Sequence, residues 1–206
     1  MNNYNILSLC LVLMLSACSS APKKDTHYYL LNNHVTGGSL TENIAQSQSS
    51  EAVLIKIRLP EYLMQPNLVI QMGEHRLHYA RYHLWAENLQ PAITKALVFE
   101  MKKSAHSVEQ GTTDKHLYHF VEREQAFDGR KSITLQIDHF YPDDRSKVII
   151  SGKYWLTGFD NVSSSQSQAF YIEKVLQNDG YPHAVRQMRG LVSELAVKLV
   201  EKLRDA

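Results

Sequence analysis

The stretch Ser132-Ile133-Thr134-Leu135-Gln136-Ile137-Asp138-His139-Phe140 decides how the chain is read. Ile133, Leu135 and Ile137 alternate with Thr134, Gln136 and Asp138, and side chains of period two line opposite faces of a strand. Tyr141-Pro142-Asp143-Asp144 carries turn residues, and Lys147 to Leu156 returns with Val148, Ile150, Tyr154 and Trp155. Two antiparallel strands are therefore expected here. Upstream, Val53, Ile55 and Ile57 alternate against Leu54, Lys56 and Arg58, and Pro60 stops that strand. Leu68 to Met72 and Arg76 to Tyr79 flank Gly73-Glu74 as a hairpin. His27 to Leu31, Leu117 to Arg123 and Ala169 to Ile172 read as further strands.

Two segments have helical spacing instead. Leu89, Ile93, Ala96, Leu97 and Met101 fall three and four apart, with Pro91 restricted to the first turn and Asn88 the natural N-cap. Val185, Met188, Val192, Leu195, Leu199 and Leu203 form one stripe over Pro182 to Arg204. The expected fold is α+β in one domain: a largely antiparallel sheet with two amphipathic helices packed on it. Asn32 to Glu51 and Asn161 to Gln168 are polar loops.

The amino terminus carries an address. Ile6 to Leu15 is almost continuously apolar, too short to span a bilayer but of the length of a signal-peptide core. It runs into Leu15-Ser16-Ala17-Cys18, which resembles the bacterial lipobox: a branched apolar residue, two small ones, then the cysteine that accepts the lipid. Residues 1–17 are thus expected to be a lipoprotein signal peptide, although Met1 to Asn5 lacks Lys or Arg. Residues 18–26 form a lipidated tether and 27–206 the folded domain. Cys18 is the expected lipidation site, carrying diacylglyceryl and an amide-linked chain such as palmitate. Of two cysteines, Cys10 leaves with the leader, so no intramolecular disulfide is expected in the mature protein. Acyl chains contribute about 0.8 kcal/mol per buried methylene, enough together for a durable anchor. Ser19 and Ser20 follow in place of the aspartate that retains enteric lipoproteins at the inner membrane, so outer-membrane delivery is expected.

The 206 residues hold 22 basic and 21 acidic side chains, a net charge of +1. That balance has no clustered basic face, so nucleic acid is not an expected partner. Ten histidines invite a metal or catalytic reading. The close pairs, His75/His78 and His116/His119, are spaced by three, which on a strand sends them to opposite faces. HExxH, GxSxG, P-loop and GxGxxG motifs are missing, and the mature thiol is committed to lipid. No catalytic residue, metal site or cofactor beyond the covalent lipid is expected, and the protein is read as a non-enzyme.

Three stretches resemble the PqiC (YmbA) family, the auxiliary lipoprotein components of ABC-type transport. They are Tyr28-Tyr29-Leu30-Leu31; Leu59-Pro60-Glu61-Tyr62-Leu63 with Gln65-Pro66-Asn67-Leu68-Val69; and Leu77-His78-Tyr79-Ala80 leading into Leu84-Trp85-Ala86-Glu87-Asn88-Leu89, similar to the family's helix start. Phe140 and Trp155 stand where the family tends to have aromatics. Asn88 replaces a usual proline and Leu84 a frequent arginine. The resemblance implies an outer-membrane lipoprotein on the periplasmic face. It would dock an inner-membrane MCE-domain protein of the PqiB kind in intermembrane lipid transport, and would assemble as a homo-oligomer such as a ring. The partner-binding residues it suggests are Pro60, Glu61, Tyr62 and Leu63, against the plainer reading that Tyr62 and Leu63 plug the core. Trp85 is expected to anchor the helix start to the sheet. A competing class is an LptE-like lipoprotein that plugs or matures an outer-membrane β-barrel.

Overall fold

The alternation of Val53, Ile55 and Ile57 produces a strand flanked on both sides by other strands. The computed structural model describes residues 24–32, 51–109, 118–122, 131–159 and 166–204. Within these, β1 (His27–Tyr29) is followed by β2 (Glu51–Arg58), β3 (Asn67–Met72) and β4 (Arg76–Trp85). Helix α1 (Leu89–Glu109), strands β5 (Tyr118–Val121), β6 (Lys131–Pro142), β7 (Lys147–Thr157) and β8 (Gln168–Val175), and helix α2 (Tyr181–Arg204) complete the chain. The signal-peptide residues, Cys18, His116 and most of the two polar loops lie outside the described residues.

The strands form two sheets, ordered β1-β4-β3 and β5-β2-β6-β7-β8. The α+β class with two helices is as the sequence indicates, but the sheets are mixed. β2 runs parallel to both β5 and β6, and β1 runs parallel to β4; the other pairings are antiparallel. Period-two alternation reports which face a residue takes and is silent on strand direction. Direction comes from connection length: β2 reaches its neighbours only after a hairpin and a helix, the long crossover that parallel pairing requires. Leu54 departs from the alternation. It is buried on the face opposite Val53 and Ile55, where alternation alone assigns it to the polar side.

Both helices lie on one face of the five-stranded sheet and pack against each other. α1 covers β2 and β5, while α2 covers β6, β7 and β8. Leu89, Ile93, Ala96, Leu97 and Met101 of α1 are buried, as are Val185, Met188, Val192, Leu195, Leu199 and Leu203 of α2. Beneath them Ile133, Leu135 and Ile137 of β6 are fully enclosed. Each such aliphatic side chain contributes about 1.5–3 kcal/mol relative to exposure. Among the described residues, no helix is long and apolar enough to cross a membrane.

Two local features depart from the periodic reading, and one follows it. Trp85 is the last residue of β4 rather than part of a helix start, and its N–H donates to Pro66 O at 2.7 Å. Asn88 does hold the capping position, its carbonyl accepting from Ala92 N–H at 3.2 Å. Tyr141 and Pro142 continue β6, with Pro142 in register with Val148 at the ladder's end, so the turn begins at Asp143. The Asp143 carboxylate accepts from the N–H groups of Arg145 (3.0 Å) and Lys147 (2.7 Å), and that local competition ends the strand.

The hairpin and the β6–β7 turn meet at the far end of β4. Gly73 has φ of +70°, a conformation that disfavours side chains, and its N–H donates to Asp144 Oδ2 at 2.7 Å. Gln71 O accepts from Asp144 N–H at 3.0 Å, stitching the small sheet to the large one.

Candidate docking surface

Arg58 ends β2, and Pro60, at φ −68° and ψ 155°, redirects the chain into a single 3-10 turn over Glu61–Leu63. Leu63 N–H donates to Pro60 O, and Met64 N–H to Glu61 O, both at 3.0 Å. A turn of three residues eclipses positions three apart, so its side chains leave in different directions. Leu63 points inward and is 2% exposed within the main core. Tyr62 is half-buried, its ring centroid 6.3 Å from that of Tyr141. Pro60 is half-buried, and Glu61, Met64, Gln65 and Pro66 are exposed. Of the four residues singled out from sequence, Glu61 is the exposed one. Met64, which follows them, adds an apolar side chain at the surface that the motif alone did not draw attention to.

Tyr62 has a definite structural partner. In β6 the register passes from Ile137 opposite Gly152 to His139 opposite Ser151, leaving Asp138 as the extra residue of a bulge. The Tyr62 hydroxyl donates to the Asp138 carbonyl. The Asp138 carboxylate in turn accepts from Gln136 Nε2 at 2.8 Å. Burial first, then the neighbouring Tyr141, Asp138 and Tyr79, hold the Tyr62 phenol well above the ordinary tyrosine range, so it remains a donor at any physiological pH. Gly152 opposite the bulge is obligatory for another reason: a Cβ there would stand 2.0 Å from Gln136 O.

A second cluster joins β1, β4 and the start of α2. His83 stacks on Tyr181 with ring centroids 3.6 Å apart and on His27 at 5.2 Å. Tyr29 Oη lies 2.8 Å from His83 Nδ1. Burial and then the adjacent His27 lower the His83 pKa, while burial raises those of Tyr29 and Tyr181. Sequence reading missed this group because its members come from three separated elements. The strand assignment of Tyr28-Tyr29 was the one available signal.

Among the described residues, His75, His78 and His139 lie elsewhere. His75 sits in the hairpin turn 3.9 Å from Glu74, His78 is exposed on β4, and His139 Nδ1 lies 2.8 Å from Ser151 Oγ as an exposed cross-strand pair. Among the described residues, no group of His, Cys, Asp and Glu is arranged to hold a metal ion. The two helices share one buried ion pair, with Arg189 Nη2 donating to Glu100 Oε1 at 2.7 Å and Nη1 to Ser193 Oγ at 2.9 Å.

The described residues thus form two helices on a mixed five-stranded sheet, with a three-stranded sheet stitched to it at the β3–β4 hairpin. The ABC-type transport auxiliary lipoprotein component family matches residues 29–200, and the chain belongs to it. Its members are described as transport auxiliary lipoproteins. Among particular relatives, the intermembrane transport lipoprotein PqiC of Escherichia coli (strain K12) is 21% identical over 192 residues, covering 93% of each chain. The PqiC of Shigella flexneri is similar to the same extent. Two crystal structures share the fold. An uncharacterised protein superposes with a TM-score of 0.67 at 16% identity, over 87% of this chain and 99% of that one. Protein XCC0632 from Xanthomonas campestris gives 0.58 at 11%, over 85% and 93%.

Proposed function

We propose that this chain is an outer-membrane lipoprotein, anchored through Cys18 and facing the periplasm, that docks an inner-membrane MCE-domain protein of the PqiB kind in intermembrane lipid transport. The observation that carries this reading is the similarity to an intermembrane transport lipoprotein along 93% of both chains. The lipobox Leu15-Ser16-Ala17-Cys18 supports the anchor, and Ser19-Ser20 supports delivery to the outer membrane. The subunit does no chemistry and fixes one end of a lipid path. Several copies surround the partner as a homo-oligomer.

Within the turn, Glu61 and Met64 supply the docking contact, while Leu63 and Tyr62 brace it from below. An exposed methionine adapts its shape to a partner at small entropic cost. In-cell photocrosslinking from position 64, with mass spectrometry of the adduct, tests the assignment. Capture of the MCE protein supports it, and capture of an outer-membrane β-barrel instead replaces it with the LptE-like role.

A further inference from the structure

Side chains of β1 alternate between the two faces of the small sheet. His27 and Tyr29 turn toward His83 and Tyr181. Tyr28, in register with Leu84, turns the opposite way and is 66% exposed, and Leu30 beyond it is 53% exposed. Beside them Tyr82 is half-buried beneath two cations: Lys24 Nζ lies 5.7 Å and Arg81 Cζ 5.4 Å from its ring centroid. An exposed tyrosine and leucine flanked by a lysine and an arginine form the combination that seats at a bilayer boundary. The aromatic body and aliphatic chain enter the headgroup region, while the cations meet phosphate.

Chain length decides what faces this surface. Lys24 is six residues after Cys18. Fully extended, those residues span at most about 22 Å, less than the height of a small domain. If Cys18 is acylated, the β1 end of the small sheet is held next to the membrane whatever path the tether takes.

We propose that Lys24, Tyr28, Leu30, Arg81 and Tyr82 form a membrane-contact surface that rests on phospholipid headgroups and orients the domain. The proposal rests on the anchor assigned above. It sets which side of the small sheet lies against the membrane, the one carrying Tyr28 of β1 and Tyr82 of β4. Tyr171, 58% exposed on β8 of the large sheet, lines a recess with Gln71, Gly73 and Asp144 at the β3–β4 hairpin and makes an internal control.

The test places a photoreactive benzophenone amino acid at position 28 or 171 of the full chain in cells, with acyl labelling of the same material. The expected result is an acyl-labelled protein that yields a phospholipid adduct from position 28 and none from 171. Acyl label with no lipid adduct at 28, with a protein adduct there, or with lipid adducts at both positions overturns the membrane surface and leaves the anchor standing. Absence of acyl label from Cys18 overturns the anchor, and with it this inference. Lys24→Glu combined with Arg81→Glu, both exposed changes, is expected to reduce the lipid adduct at 28; an undiminished adduct removes the cations from the surface.

Discussion

The Tyr62 hydroxyl donates to the backbone carbonyl of Asp138, the one residue of β6 that the bulge leaves out of register. This bond couples the turn after β2 to the middle of the large sheet, so the shape of the proposed docking contact is set by strand irregularity some distance along the chain. Tyr62→Phe keeps the ring against Tyr141 and removes only the donor. Leaving a carbonyl unsatisfied costs about 1–3 kcal/mol, and urea denaturation should show a loss in that range. Unchanged stability together with lost partner capture would instead make Tyr62 a contact residue.

Gly152 faces the same bulge from β7. In Gly152→Ala the new methyl would meet Gln136 O at 2.0 Å, and the obstacle is backbone, not a flexible side chain. Relief requires separating β6 from β7 in the centre of the sheet. Thermal melting should show a loss of at least about 1–3 kcal/mol, the ordinary cost of overpacking, or failure to fold.

Arg189 and Glu100 form a pair with side chains only 11% and 12% exposed, bridging α1 and α2. Arg189→Met alone strands the carboxylate between helices and should destabilise by about 3 kcal/mol or more. Adding Glu100→Leu should restore most of that loss, because two apolar side chains need no compensation. A double-mutant cycle by chemical denaturation measures the coupling, and additive losses would contradict it.

His83 links stability to pH. Its folded pKa lies below the ordinary 6.5, chiefly through burial and then through His27. The unfolded chain therefore binds the proton more readily than the folded one. The contribution of this group is intact above 6.5 and is lost as pH falls through the folded value. Denaturation midpoints should decline between pH 7.5 and pH 5, and His83→Gln should flatten that part of the profile. His27→Gln should move the His83 titration upward in an NMR experiment by removing the second cause.

Much of the architecture was written in periodicity. The β2 alternation, the Gly73-Glu74 hairpin and both apolar helical stripes appear where the spacing puts them, since burial of one face is a local property of sequence. What spacing does not carry is the identity of a strand's neighbour, and so the parallel pairing of β2 with β5 and β6 was illegible. Trp85 was misplaced because a large aromatic suits a strand end as well as a helix start. The motif Leu59 to Leu63 advertised a special turn correctly. Its division into an inward Leu63, a bracing Tyr62 and an outward Glu61 depended on the Asp138 bulge, a feature that leaves no pattern in the residues around it.

The parallel embrace of β2 also has a temporal side. A chain threaded through a translocation channel delivers Val53 to Ile57 early, yet the strands that enclose them start only at Tyr118 and Lys131. For that interval a sticky, β-prone ribbon waits without a mate, the circumstance in which slow nonlocal topologies are open to aggregation. On the export route proposed above, this polypeptide is accordingly expected to lean on a holdase that grips the early apolar ribbon and releases it once the second half has emerged.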